Sequence, residues 1–146
     1  MVLTLFFNRF DQLLERLKEY APIFIRLAFG YHLVQYTYED ILFLKAHIGF
    51  GAWLAQMGVP FPSFMAYVAL GTEFVGGLCL IFGLLVRYVS IFLIANFITA
   101  ICLVHLDDPY KKSFEAIQML MVSLFFLFNG AGKLSIDSFY GKKIRS

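Results

Sequence analysis

Apolar residues are concentrated in four long blocks of the sequence, with short polar segments between them. About 20 apolar residues in a helix, at ~1.5 Å per residue, cover the ~30 Å hydrocarbon core of a bilayer. The pattern therefore predicts an all-α fold, a four-helix transmembrane bundle. Its predicted spans are residues 22–38, 63–85, 88–106 and 113–129.

The first 20 residues follow a different pattern, in which apolar and charged side chains share one helix. Residues 1–20 are predicted to form an amphipathic interfacial helix that lies on the membrane surface. The alternative is a solvated helix that packs on a partner protein. The apolar residues that recur at helical spacing are Leu5, Phe6, Phe10, Leu13, Leu14 and Leu17.

A polar stretch separates the first two blocks and does not form a clean span. It begins with Glu39 and Asp40 and closes with the turn sequence GVPFP at residues 58–62. The charges leave too short an apolar run for a further span, whereas Trp53 is typical of a membrane–water interface. We predict a short re-entrant or interfacial helix over residues 40–57, after the first span.

Composition supports an integral membrane protein. The chain has 146 residues, of which 60% are hydrophobic and 15% charged, whereas a soluble domain carries about 25% charged residues. The formal net charge of +2 is small and dispersed, so we expect no nucleic-acid partner. The lipid bilayer is the partner that this composition predicts.

An even number of spans places both termini on the same side of the membrane. Cytoplasmic loops are enriched in lysine and arginine, and the terminal side carries more of these residues. Both termini are therefore predicted to be cytoplasmic, with residues 138–146 as a basic tail. The cations on the terminal side are Arg9, Arg16, Lys18, Arg87, Lys133, Lys142, Lys143 and Arg145, against Lys45, Lys111 and Lys112 on the other.

Four polar residues within the predicted spans are candidates for an intramembrane site: Arg26, His32, Glu73 and Asn96. A carboxylate near the middle of a span costs at least about 2.5 kcal/mol on insertion scales, so Glu73 should face protein or water. His32 lies about 15 Å and Glu73 about 18 Å from the inner ends of their spans. At such similar depths, the two would form a proton-handling pair.

A structural interpretation of the same residues stays open. Arg26 lies about 6 Å deep in its span, and we expect an ion pair with Glu73 that either belongs to the polar site or simply fastens two helices. Asn96 is expected to form an interhelical hydrogen bond worth about 0.6 kcal/mol.

Two further polar clusters are expected at the ends of the bundle. His105, Glu115 and His47 would gather near the outer face, where histidine and carboxylate suit a divalent metal. Their spacing contains no His-x-x-x-His pair, so we predict a hydrogen-bonding or capping role and no metal site. At the inner face, ion pairs among Arg87, Lys133 and Asp137 are expected to close the bundle.

Several of these residues occur in the order and spacing of a known family. The pattern is Arg26 in the first span, Gly76-Gly77 beside Glu73, His105 at the end of the third span, and the sequence NGAGKLSID at residues 129–137. Over residues 21–137 the chain resembles the DoxX family of small four-helix membrane proteins. It departs from the family at residues 130–133, which are GAGK where relatives often have Gly-Pro-Gly followed by a basic residue.

The resemblance implies a membrane subunit that serves redox chemistry in a bacterial inner (cytoplasmic) membrane. Some DoxX relatives belong to a thiosulfate:quinone oxidoreductase, and others are linked to thiol and oxidant defence. The implied substrate is a quinone, and the implied partner is another subunit that holds the redox centre.

The chain itself contains no haem, flavin or phosphate-loop motif, so no cofactor is evident. The alternatives are a non-catalytic scaffold or assembly subunit, in a homo-oligomer or with other chains, and a carrier of small solutes or ions.

Overall fold

The computed structural model describes residues 2–104 and 109–144, and within these ranges the chain is helical and contains no strand. A short 3-10 helix, Lys18–Tyr20, follows the first α-helix. The α-helices are α1 (Val2–Leu17), α2 (Pro22–Leu42), α3 (Phe50–Gln56), α4 (Pro62–Phe82), α5 (Val86–Val104), α6 (Tyr110–Asn129) and α7 (Ile136–Ile144).

Helices α2, α4, α5 and α6 occupy the four apolar blocks of the sequence. Two stretches, Pro62–Phe82 and Val86–Leu103, are long and apolar enough to cross a membrane. Only 28% of the first and 22% of the second is buried inside the protein. Most of their apolar surface therefore faces outward, unlike the surface of a core helix in a soluble protein.

The prediction for the segment after α2 was wrong in its extent. A helix was expected over residues 40–57, but α3 covers only Phe50–Gln56. The backbone leaves the helical conformation at residue 43 and adopts a left-handed φ of 53° at Leu44, which a side chain with a Cβ seldom takes inside a helix.

The end of the chain contains a helix that the sequence analysis did not predict. Residues up to 144, which include most of the predicted basic tail 138–146, belong to α7. The first turn of α7 contains Asp137, and an acidic residue there favours a helix because it complements the positive end of the helix dipole. Gly130 ends α6, with φ of 74° and its N–H bonded to Phe126 O.

The main helices pack in the order α2, α4, α5, α6, and α2 meets α6 only along a short interface. Close approach of α2 and α4 depends on two glycines, since a Cβ on Gly30 would lie 2.7 Å from Gly77 O. A Cβ on Gly76 would lie 2.8 Å from the Leu93 side chain of α5. The central core consists of Leu33, Leu80, Val86, Leu93, Phe97, Met119, Phe126 and Ala131.

Helix α3 packs on the outer part of α4 and forms a second, smaller apolar cluster. Its core is Ala46, Leu54, Ala66 and Leu70. Gly51 lets the two backbones approach, because a Cβ there would lie 3.3 Å from Ser63 Cα. In this position, α3 lies next to the short interface between α2 and α6.

Candidate functional site

A cleft of about 670 Å³ is lined by residues of α2, α3, α4, α5 and α6. Its volume is within the ~300–1,000 Å³ of ligand pockets. Apolar and aromatic walls come from Leu33, Phe50, Trp53, Leu70, Phe97 and Met119. Six ionisable or hydroxyl groups line the same space: His32, Tyr36, Asp40, Glu73, Lys112 and Glu115. We call this feature the polar cleft.

A histidine–carboxylate pair crosses the seam between α2 and α6. The Nε2 atom of His32 lies 2.8 Å from Oε1 of Glu115, a hydrogen-bond distance. The ring of Tyr36 stacks on the imidazole at a centroid distance of 6.2 Å. Because the two helices otherwise make little contact, this hydrogen bond is a principal link across the seam.

Glu73 lines the cleft and is hydrogen-bonded to Asn96, which lies outside the cleft lining. The Nδ2 atom of Asn96 donates to Oε1 of Glu73 over 2.8 Å, which joins α4 to α5. Three of the four predicted intramembrane residues thus belong to one region, since His32 and Glu73 line the same cleft. The hydrogen-bond partner of His32, however, is Glu115 and not Glu73.

Arg26 occupies a different place, and the expected ion pair with Glu73 is absent. The guanidinium is 1% exposed and donates from Nη2 to Leu134 O over 2.5 Å. Its Nη1 atom lies where a Cβ on Gly83 would be only 1.8 Å away. Gly83 follows Glu73 by ten residues, about 15 Å along α4, so Arg26 points toward the terminal end and its side chain cannot reach the carboxylate.

The predicted outer cluster divides into separate contacts. Nδ1 of His47 lies 3.0 Å from the hydroxyl of Tyr67, which donates its own proton to Leu44 O over 2.6 Å. His47 is therefore the donor in its contact with Tyr67. Glu115 bonds instead to His32 in the cleft, and His105 lies outside the described residues.

In the part of the chain that the structure describes, the expected ion pairs among Arg87, Lys133 and Asp137 are absent, and each of these residues has another contact. Asp137 accepts hydrogen bonds from the backbone N–H groups of Leu85, at 2.6 Å, and Val86, at 2.9 Å, and so caps α5. Lys133 pairs with Glu19. Arg87 lies against the helix end at Gly130, where a Cβ would be 3.0 Å from its Nε atom.

The polar cleft can bind and exchange protons. Imidazole, carboxylate and phenol groups all accept and donate protons, and here they line one cleft together with aromatic side chains. Within residues 2–104 and 109–144, no three histidine, cysteine or acidic side chains converge on a point that could hold a metal ion. The chemistry available from these residues is acid–base chemistry.

Sequence reasoning missed the link between His32 and Glu115, although it selected both residues. Depth along a span can be counted from the sequence, but the direction in which a side chain points around the helix cannot. One signal was present: Lys112, Glu115 and Met119 recur at spacings of three and four on α6, which places them on one face.

Comparisons with known proteins identify the family. The DoxX family profile matches residues 21–106, which is more than half of the chain. A relative from Bacillus subtilis (strain 168), named "Putative oxidoreductase CatD", is 36% identical over 85 residues. The match covers 56% of this chain and 63% of that relative, so the chain spans less than two thirds of its length. No solved structure matches. The chain belongs to the DoxX family of membrane proteins.

Proposed function

We propose that the chain is an integral membrane subunit of a quinone-linked redox system. The main support for this proposal is the polar cleft. In it, Glu73 and the His32–Glu115 pair line the same space as several aromatic side chains. Family membership and a relative named as an oxidoreductase support a redox role. The substrate class, from sulfur compounds to cellular oxidants, would be set by the partner subunit.

The proposed membrane arrangement has four spans. Helices α2, α4, α5 and α6 cross the bilayer, both termini are cytoplasmic, and the membrane is a bacterial inner membrane. Helix α1 lies on the membrane surface, and α3 lies at the opposite interface with Trp53 as an anchor. The supporting observation is that the apolar side chains Phe10, Leu13, Leu14 and Leu17 of α1 are each about half exposed.

In this proposal the cleft receives the quinone head group. A quinone takes up two electrons and two protons to become a quinol. The electrons come from a redox centre in the partner subunit, and the protons pass through Glu73 and the His32–Glu115 pair. Phe50, Trp53 and Phe97 would hold the ring between them.

The direct test of this role is the Glu73→Gln substitution in the assembled complex. Glutamine keeps the size of the side chain and its hydrogen-bonding capacity toward Asn96 but cannot exchange a proton. We expect quinone-linked turnover to fall at least about 100-fold, the scale of losing one acid–base group. The matched control is Glu39→Gln, an exposed carboxylate on α2 outside the cleft, and its turnover should stay at the wild-type level. Unchanged turnover in Glu73→Gln would refute the role.

A scaffold role is the second candidate, and one observation favours it. The hydrogen bond between Asn96 and Glu73 joins α4 to α5, as a purely structural contact would. If the chain is a scaffold, Asn96→Ala should lower its thermal stability, whereas Glu73→Gln should leave the quinone-linked turnover of the complex intact. A carrier for small solutes or ions would instead show uptake into proteoliposomes without any partner subunit.

A further inference from the structure

Three polar side chains on α2 form a ladder along the wall of the polar cleft. His32, Tyr36 and Asp40 are spaced four residues apart, so each lies about 6 Å from the next along one helix face. All three line the cleft. Asp40 lies two residues before the end of α2 at Leu42, so the ladder runs from the middle of the bundle to the end opposite the termini.

The other direction along the bundle is closed by packing. Between Glu73 and the terminal end, Leu80, Leu93 and Phe126 are at most 2% exposed. The backbones of α2 and α4 also touch there, with Gly30 against Gly77. Among the described residues, the ionisable groups that line the cleft therefore connect Glu73 to the end opposite the termini. On the terminal side, the buried hydroxyls of Ser90 and Ser123 bond to the backbones of their own helices.

We propose that protons reach Glu73 from the face opposite the termini, through Asp40, Tyr36 and the His32–Glu115 pair. Neighbouring groups on α2 lie about 6 Å apart along the helix, so each proton moves inward from one group to the next through a bridging water, and protons are conserved along the ladder. The use of these protons rests on the proposed function, but the path is a property of the chain alone.

The titratable groups that face Glu73 across the cleft can be named for each helix that lines it. Among the described residues, α2 contributes His32, Tyr36 and Asp40, and α6 contributes Lys112 and Glu115. Apart from Glu73 itself, the α3, α4 and α5 walls contribute aromatic and aliphatic side chains, none of which titrates. The groups that can exchange protons with Glu73 therefore all lie toward the end of the bundle opposite the termini.

The first test measures which side of the membrane sets the protonation of Glu73. Dicyclohexylcarbodiimide, an apolar reagent, modifies protonated carboxyl groups, and peptide mass spectrometry identifies the modified residue. The wild-type chain is labelled in vesicles of both orientations, with the two sides buffered independently and Glu73→Gln as the assignment control. We expect labelling to fall about ten-fold for each pH unit once Glu73 is mostly ionised, only when the pH is raised on the side opposite the termini. Labelling that follows the terminal side, or neither side, would overturn the proposal.

The second test asks whether water enters the cleft from that face. In a chain with Cys79 and Cys102 replaced by alanine, Ala100→Cys places a thiol in the cleft wall of α5. The control is Thr99→Cys, one residue earlier on the same helix but outside the cleft lining. A membrane-impermeant thiol reagent added opposite the termini should label Ala100→Cys at least several-fold faster than Thr99→Cys. Equal rates, or labelling only from the terminal side, would contradict the path.

These two tests do not depend on redox activity. If the path is wrong, the sidedness of labelling fails while quinone-linked turnover still requires Glu73. If the redox role is wrong, turnover does not respond to Glu73→Gln while the labelling still follows the pH opposite the termini.

Discussion

At the scale of single residues, Arg26 shows how a buried charge can organise a helix end. Its guanidinium is fully enclosed, and among residues 2–104 and 109–144 a hydrogen-bond partner is found for Nη2 but not for Nε or Nη1. Asp137 lies near enough to act on it electrostatically. The side chain therefore joins α2 to the segment before α7 through Leu134 O, rather than serving the cleft.

Replacing Arg26 with alanine is predicted to destabilise the protein. The change leaves a cavity and an unpaired carbonyl at Leu134, and truncation of a large buried side chain typically costs about 2–5 kcal/mol. Thermal unfolding in detergent measures the effect. Arg16→Ala, an exposed residue of α1, should melt like the wild type. Equal melting of both variants would show that Arg26 is not a packing residue.

At the scale of elements, the turn between α4 and α5 is determined by Gly83. Its φ of +67° is unfavourable for other residues, and its Cα faces the Arg26 guanidinium. Asp137 completes the turn by capping α5 and by donating its own N–H to Gly83 O at 3.0 Å. Through these contacts, α2, α4, α5 and α7 are joined at the end of the bundle that contains the termini.

Substitution of Gly83 with alanine is therefore predicted to be strongly destabilising. The added Cβ would lie 1.8 Å from Arg26 Nη1, so the arginine must move out of its enclosed position. Gly71→Ala is the control, since a Cβ there meets nothing within 4 Å and alanine favours a helix by about 0.5–1 kcal/mol. Chemical denaturation should rank Gly83→Ala below wild type and Gly71→Ala at or above it; the reverse order would contradict this structure of the turn.

Loss of the α5 cap has a smaller predicted cost. Asp137→Ala leaves the N–H groups of Leu85 and Val86 without their carboxylate, which costs about 0.5–2 kcal/mol for a capping residue. The expected result is a modest fall in melting temperature with unchanged quinone-linked turnover. Asp11→Ala on the exposed face of α1 provides the comparison. A loss of turnover in Asp137→Ala without a loss of stability would assign this residue to the cleft chemistry instead.

At the scale of the whole molecule, apolar blocks in the sequence were enough to predict the four long helices and the class of the fold. They could not predict the break at Leu44 or the helix α7, because both depend on local backbone conformation and capping. For the site, residue counting gave the depth of Glu73 and His32, and an interhelical bond for Asn96. It could not give the rotation of each helix, which pairs His32 with Glu115 and turns Arg26 away from Glu73.

In the proposed function, the polar cleft binds a quinone head group. The measurement is the quinone content of the protein purified in mild detergent, determined by mass spectrometry for the wild type and two tryptophan variants. Ala100→Trp fills the cleft, whereas Ala95→Trp is exposed on the outside of the same helix. We expect bound quinone in the wild type and in Ala95→Trp, and we expect it to be lost in Ala100→Trp. Equal quinone content in all three proteins, or none in any of them, would contradict it.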